Sequence, residues 1–266
     1  MGDSNAATPA LSDPIIRFDN VHKRFGPLVV LDGMSLDIPR DRTTVILGPS
    51  GVGKSVLLKH IVGLLRPDSG SIFFCNQRID HLGERELEPF RKRIGFLFQL
   101  GALFDSMCVG DNVAFPIRRH GAKTPDEIRD IVHEKLSVVG LEGSEKKWPA
   151  DLSGGQKKRV ALARAIAMNP EVVLYDEPTT GLDPIRSDVI NELILKLKEE
   201  LGVTGVVVTH DMTSAFKVAD QIVMLFNGKI VTRGTADEIR NCPDPNVQRF
   251  IQGRASEEDL RALHRM

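Results

Sequence analysis

Gly48-Pro49-Ser50-Gly51-Val52-Gly53-Lys54-Ser55, with Val56 behind it, is the stretch that decides the fold. It fits the phosphate-loop pattern G-x-x-x-x-G-K-[ST]. Thr43-Thr44-Val45-Ile46-Leu47 before it reads as a buried strand. Val56, Leu57, Leu58, Ile61 and Val62 after it recur at helical spacing. The glycines let the backbone curl into a concave nest of N–H donors, and the helix start adds partial positive charge. Lys54 is expected to reach the β- and γ-phosphates of a nucleoside triphosphate, and Ser55 to hold Mg²⁺. A glycine-rich turn with an incidental lysine is the alternative. Average composition produces the pattern by chance in roughly one chain of this length in a hundred, and the strand and helix around it make chance rarer still.

The chain has 266 residues, enough for one large or two small domains. It is 41% hydrophobic and 27% charged, as soluble globular proteins are. A formal net charge of −1 gives no global attraction to nucleic acid or anionic lipid. No apolar run is long enough to span a bilayer. Residues 1–14 lack the basic and apolar regions of a signal peptide and read as a loose tail. Cys75, Cys108 and Cys242 are widely spaced and odd in number, which fits reduced thiols rather than a zinc site or disulfide framework.

Residues 15–18 and 34–38 look like short strands beside turns at Gly26-Pro27 and Asp32-Gly33. Residues 71–75 and 94–98 are strand-like again. Thr124-Pro125-Asp126-Glu127 is a capping box with proline at the first helical position. Ile128, Ile131, Val132, Leu136 and Val139 behind it form one apolar stripe, and Gly140 stops the helix. A second helix, rich in Ala and Val, follows Ser153-Gly154-Gly155. Residues 172–175 form the next apolar strand. Asp183-Pro184 caps a long helix expected to turn Ile185, Val189, Leu193 and Leu197 inward. Residues 206–209 are another strand, and 221–226 and 230–232 pair around Asn227-Gly228, a strong hairpin signal. The alternation predicts an α/β fold with a mainly parallel sheet covered by helices, and a helical subdomain inserted at about residues 110–167.

Val172-Val173-Leu174-Tyr175-Asp176-Glu177 fits a second NTPase element, an apolar strand ending in carboxylates. Asp176 is expected to order Mg²⁺ through water, and Glu177 to act as general base or to position the attacking water. An acidic turn after a strand is common, so this element gains its meaning from the upstream phosphate loop. Between the two lies Leu152-Ser153-Gly154-Gly155-Gln156. This run resembles the signature of ATP-binding-cassette (ABC) ATPases, and further positions match that family in its order. Gln99 matches the Q-loop glutamine, Gly181-Leu182-Asp183 the D-loop, and His210 the switch histidine. Phe25 sits where the family stacks an aromatic, more often Tyr, on adenine. Singly, Phe25 could be a core residue and His210 a surface one; their order after the stronger motifs favours the functional reading.

The resemblance spans about residues 15–234. It implies a P-loop NTPase with a RecA-like core, an N-terminal antiparallel β subdomain, an ABC ATPase domain at 15–240 and a C-terminal tail at 241–266. It implies ATP and Mg²⁺ as cofactors, with His210 on the γ-phosphate and Gln99 on Mg²⁺ or the attacking water. Ser153, Gly154, Gly155, Gln156 and Asp183 would complete the ATP site of a second copy, giving a homodimer that sandwiches two ATP molecules head to tail. Such a chain powers a separate membrane permease docked near the Q-loop. Here that stretch runs from Gln99 to Met107; Leu100, Leu103, Phe104 and Met107 could form the permease pocket or pack under the helical subdomain.

Phe98-Gln99-Leu100-Gly101-Ala102-Leu103-Phe104, Asp111-Asn112-Val113-Ala114-Phe115-Pro116, Arg91-Lys92-Arg93-Ile94-Gly95, Asp183-Pro184-Ile185 and the tail from Val247 to Gly253 resemble the ATPases of Mla/Mce-type lipid transporters. That resemblance implies phospholipid or sterol-like cargo, a lipid-binding Mce-domain partner, and a peripheral place on the cytoplasmic face of a bacterial inner membrane. Lys54-Ser55-Val56 replaces the commoner Lys-Thr-Thr, and Thr179-Thr180-Gly181-Leu182 replaces the proteobacterial F-V-G-Q, which points to a more distant Mce branch. Ser256-Glu257-Glu258-Asp259 could cap a last helix carrying Leu260 and Leu263, either a frayed end or a dimer-stabilising arm. The rival classes are an ABC ATPase for another solute, a soluble ABC ATPase of DNA repair or translation, and a nucleotide clamp without turnover. The charge balance gives no nucleic-acid footprint, and Glu177 with His210 argues against the clamp.

Overall fold

Strand β3 (Thr43–Leu47) is buried at every position, as a strand must be when both faces of its sheet are covered. In this computed structural model, which describes residues 13–49, 51–120 and 123–255, the chain runs through β1 (Ile16–Phe25), β2 (Leu28–Ile38), β3, α1 (Lys54–Ile61), β4 (Ser69–Phe74), β5 (Gln77–Arg78), α2 (Glu84–Arg91) and β6 (Ile94–Leu97). Three helices follow: α3 (Val109–His120), α4 (Pro125–Val138) and α5 (Gly154–Ala165). The chain then returns to alternation with β7 (Val172–Asp176), α6 (Pro184–Leu201), β8 (Thr204–Thr209), α7 (Met212–Val218), β9 (Gln221–Phe226), β10 (Lys229–Gly234), α8 (Ala236–Arg240) and α9 (Pro245–Ile251). Residues 1–12, Ser50 and the expected last helix from Ser256 lie outside the described residues.

The larger sheet has the order β10-β9-β3-β8-β7-β6. Its strands are parallel except for the antiparallel edge strand β10. Val45 and Leu47 face one core with Tyr175 and helices α3 to α7; Ile46, Leu174 and Val208 face a second core with α1 and the smaller sheet. That smaller sheet, β2-β1-β4-β5, is antiparallel throughout. The α/β architecture with a mainly parallel core and an N-terminal antiparallel sheet is therefore as the sequence predicts.

Two local expectations need correction, and one helix is unforeseen. Asp32-Gly33 is not a turn but lies inside β2, where the pairing with β1 shifts register and Gly33 takes a positive φ. The inner face of α6 is Ile190, Leu193, Ile194 and Leu197. Ile185 and Val189 are exposed, because the helix leaves the core as it approaches its Asp183 cap. Helix α2 has no counterpart in the reading of the sequence: with Pro89 inside it and only Leu87 and Phe90 buried, it offers almost no apolar stripe.

The local signals at α4 and β9–β10 are realised. Thr124 Oγ1 accepts from Glu127 N, and Glu127 Oε2 accepts from Thr124 N at 2.7 Å. Asn227 and Gly228 both take positive φ, as a two-residue hairpin turn needs. Helix α5 comes so close to β6 that a Cβ on Gly95 would lie 2.4 Å from Ala165 O, so only glycine fits there. The three cysteines are unpaired.

Candidate active site

Parallel pairing places the chemistry-bearing residues at one edge of the large sheet. Leu47 pairs with Thr209, Asp176 with Val208, and Leu97 with Tyr175. The strands therefore end together, and each hands its next residues to the same crevice, where open α/β sheets bind ligands. Gly48 follows β3, Gln99 follows β6, Asp176 and Glu177 end β7, and His210 follows β8. A cavity of about 420 Å³ opens there, lined by Phe25, Leu28, Val30, Gly51, Gly53, Lys54, Ser55, Val56, Gln99, Glu177 and His210.

Gly53 takes φ 101° and turns the loop into α1; a Cβ there would lie 2.5 Å from Val30 Cγ1. Lys54 is buried, and its Nζ donates to Gly48 O at 2.7 Å and Pro49 O at 3.0 Å. It also lies 3.7 Å from Glu177 Oε1. Burial pushes the Lys54 ammonium below its ordinary pKa, opposed chiefly by the Glu177 charge. Ser50 lies outside the described residues.

Ser55 Oγ donates to Asp176 Oδ1 at 2.8 Å. Burial raises the Asp176 carboxyl above its usual range, and the neighbouring Glu177 charge adds to the rise; the Ser55 hydrogen bond and the charges of Lys59 and Lys54 oppose it. A hydroxyl beside a carboxylate suits a hard cation. Among the described residues no cluster of three or more His, Cys, Asp or Glu could cage a metal by itself.

Glu177 takes φ 47°, a left-handed conformation uncommon for a residue with a side chain. Its carboxylate is held by three groups on Oε2: Thr209 Oγ1 at 3.2 Å, Thr180 Oγ1 at 3.3 Å, and His210 Nδ1 at 2.9 Å. Phe25 is 44% exposed, next to Leu28 at 60%. These residues flank the Gly26-Pro27 turn and give the cavity an apolar wall.

Ser153, Gly154, Gly155, Gln156 and Asp183 do not line this cavity. Ser153 caps α5, accepting from Gln156 N, while Gln156 Oε1 accepts from Ser153 N at 2.9 Å. Gly154 faces Leu182, and Gly155 faces Arg186. Asp183 caps α6 by accepting from Arg186 N at 3.0 Å. The signature and the D-loop thus form a second surface, with Ser153, Gly154 and Asp183 exposed. The reading of the sequence missed Leu28, Val30, Thr180 and Thr209. Leu28 pairs with Phe25 across the turn, Thr180 precedes Gly181 and Thr209 precedes His210, which was the available signal; Val30 carried none.

The sequence profile described as ABC transporter matches residues 31–180. The chain is 44% identical over 239 residues to the probable ribonucleotide transport ATP-binding protein mkl of Mycobacterium leprae, covering 90% of this chain and 69% of that one. It is 42% identical over 243 residues to the intermembrane phospholipid transport system ATP-binding protein MlaF of Haemophilus influenzae, covering 91% and 92%.

The chain belongs to the ABC transporter family.

It is an ABC ATPase. The ATP-binding cassette MJ0796, solved as a dimer in a post-hydrolysis state bound to ADP and Pi, superposes with a TM-score of 0.77 at 35% identity, covering 83% of this chain and 98% of that one. Among the described residues no helix is long and apolar enough to cross a membrane.

Proposed function

We propose that this ABC ATPase powers the movement of phospholipid or a related lipid between membranes through a separate permease, in company with an Mce-domain lipid-binding protein. The observation that carries the reading is the match to MlaF along nearly the full length of both chains. The mkl relative, whose name gives ribonucleotide transport, has about a third of its own length outside the match.

In this reading ATP brings the phosphoryl group to be transferred, and Mg²⁺ would supply positive charge against the triphosphate. Phe25, Leu28 and Val30 wall the adenine. Backbone N–H groups of the 48–55 loop and the Lys54 ammonium bind the phosphates. Ser55 and Asp176 would hold Mg²⁺, a hard cation that takes few carboxylates and fills its shell with phosphate and water, with Gln99 closing the site from β6. Glu177 accepts the proton of the attacking water or orients that water, and His210 reaches the γ-phosphate. Ser153, the Gly155 N–H and the start of α5 face the ATP of a second copy, so that two chains close head to tail. Ser153 and Gly154 are exposed away from the chain's own cavity, which supports this arrangement.

The permease dock is an apolar groove of about 390 Å³ beside the Q-loop, walled by Phe96, Phe98, Phe104 and Phe115. Leu100 beside it is 89% exposed. Leu103 instead packs against the core, so the two readings of this stretch divide between its residues. Arg164 donates to Gly101 O and Ala102 O, both at 2.8 Å, and fixes the loop that carries them. The chain then sits peripherally on the cytoplasmic face of the inner membrane. Purification from native membranes tests all of this. Co-purification of a multi-spanning permease, an Mce-domain protein and phospholipid is expected. A complex without them that binds ribonucleotides would overturn the reading.

A further inference from the structure

Helix α5 begins at the signature and carries one charge into the core. Lys158 lies one turn after Gly154 and is 6% exposed, ahead of the buried run Val160, Ala161, Leu162 and Ala163. Its Nζ donates to the backbone carbonyl of Glu177 at 3.1 Å. The same carbonyl accepts from Thr180 N at 3.3 Å, and the Glu177 N–H donates to Val208 O at 2.9 Å. The left-handed Glu177 peptide is thus pinned at both ends, from β8 on one side and from α5 on the other. A buried ammonium is a poor way to stabilise a core, since an apolar side chain of the same volume does as well or better. Its place suggests a use other than packing.

We propose that Lys158 is a positioning residue for the reaction: it ties the signature helix to the Glu177 peptide and so sets where the Glu177 carboxylate stands over the ATP cavity. Because Gly154 and Lys158 ride on one rigid helix, nucleotide engaged by the signature of one chain is felt at Glu177 of that same chain. Each site then hydrolyses in register with the opposite one. This inference rests on the role given to Glu177 above.

The test uses the full chain in its native membrane complex and compares Glu177→Gln, Lys158→Met, Lys158→Gln and Lys158→Arg. Lys158→Met should lower kcat about tenfold while KM for ATP and ATP-driven dimer formation stay within twofold. Lys158→Arg, which keeps a charged donor, should recover at least half of the lost rate. Should Lys158→Met fail to fold, Lys158→Gln carries the same comparison. A kcat within twofold of wild type for the Met and Gln variants overturns the inference. So does a loss that falls on KM or dimer formation instead of kcat. Normal turnover in Glu177→Gln would remove the role of Glu177 itself; an inactive Glu177→Gln beside a fully active Lys158→Met would remove only the role of Lys158.

Discussion

Replacing Glu177 by Gln keeps the side chain's size and the acceptor for Thr180 and Thr209, removes the charge, and turns the oxygen facing Lys54 into an N–H donor. Two effects of opposite sign follow. The site holds two buried ammoniums, Lys54 and Lys158, and two buried carboxylates, Asp176 and Glu177. The Glu177 charge is the chief one opposing the desolvation of both lysines. Removing one partner of a buried pair costs about 3–5 kcal/mol. Because Asp176 remains, we expect about 1–2 kcal/mol, a fall in Tm of about 2–4 °C for each kcal/mol. The uncompensated positive charge then favours the triphosphate, so ATP should raise the Tm of the variant more than that of the wild type. Chemistry moves the other way. A positioned general base contributes about 10²- to 10⁴-fold, which is about 3–5 kcal/mol of barrier. Phosphate release should fall by that factor, while gel filtration with ATP shows a dimer that persists. Turnover within about tenfold of wild type would refute the catalytic role. An apo Tm equal to wild type would refute the charge count.

Asp176→Asn should do the opposite to the apo fold. The folded state holds the Asp176 proton to higher pH than the unfolded chain does, so stability falls as pH rises above the usual carboxylate range. Asn removes that fall, and its apo Tm at pH 7.5 should exceed wild type by calorimetry, although Mg²⁺-dependent turnover is lost. Burial brings Lys158 down from 10.5 to about 8; the folded state therefore binds fewer protons than the unfolded one between those values, and stability rises with pH across that window, by up to about 3 kcal/mol. The Tm of Lys158→Met minus that of wild type should accordingly shrink between pH 7.5 and 9.5, and a constant difference would count against the buried charge. Leu100→Glu changes a side chain that touches little, so Tm should hold to within about 0.5 kcal/mol of stability. Recovery of the permease in pull-downs should nonetheless drop sharply; undiminished recovery would move the dock elsewhere.

The large sheet was legible because its strands are buried on both faces and stand between glycine, proline and cap signals. Thr43-Thr44-Val45-Ile46-Leu47 is one such run, and Asn227-Gly228 marks its hairpin without help from the rest of the chain. The smaller sheet was legible only in pieces. Strands β1 and β2 extend to the Gly26-Pro27 turn through bulges at which the alternation breaks, and Asp32-Gly33 is a turn sequence held in a strand by its neighbours. On α6 the stripe Ile185, Val189, Leu193, Leu197 has good helical spacing, yet its first two members are exposed. Periodicity reports which residues share a helix face; it says nothing about how far along the helix the core reaches.

The residues of the site were readable as motifs, but how they join was not. Lys54, Asp176 and Glu177 announce themselves by type and spacing. That the two acids differ, one paired with Ser55 and the other with Thr180, Thr209 and His210, comes from the strand register. The same register explains the strained peptide at Glu177. Asp176 ends β7 pointing to α1, and the next residue must turn back over the phosphate loop within one step. A left-handed φ makes that turn, and fixing it takes a bond from each side. One of those bonds comes from a helix that begins at the signature. The element that would sense a second subunit's nucleotide and the peptide that carries the carboxylate assigned to hydrolysis are therefore one helical turn and one hydrogen bond apart.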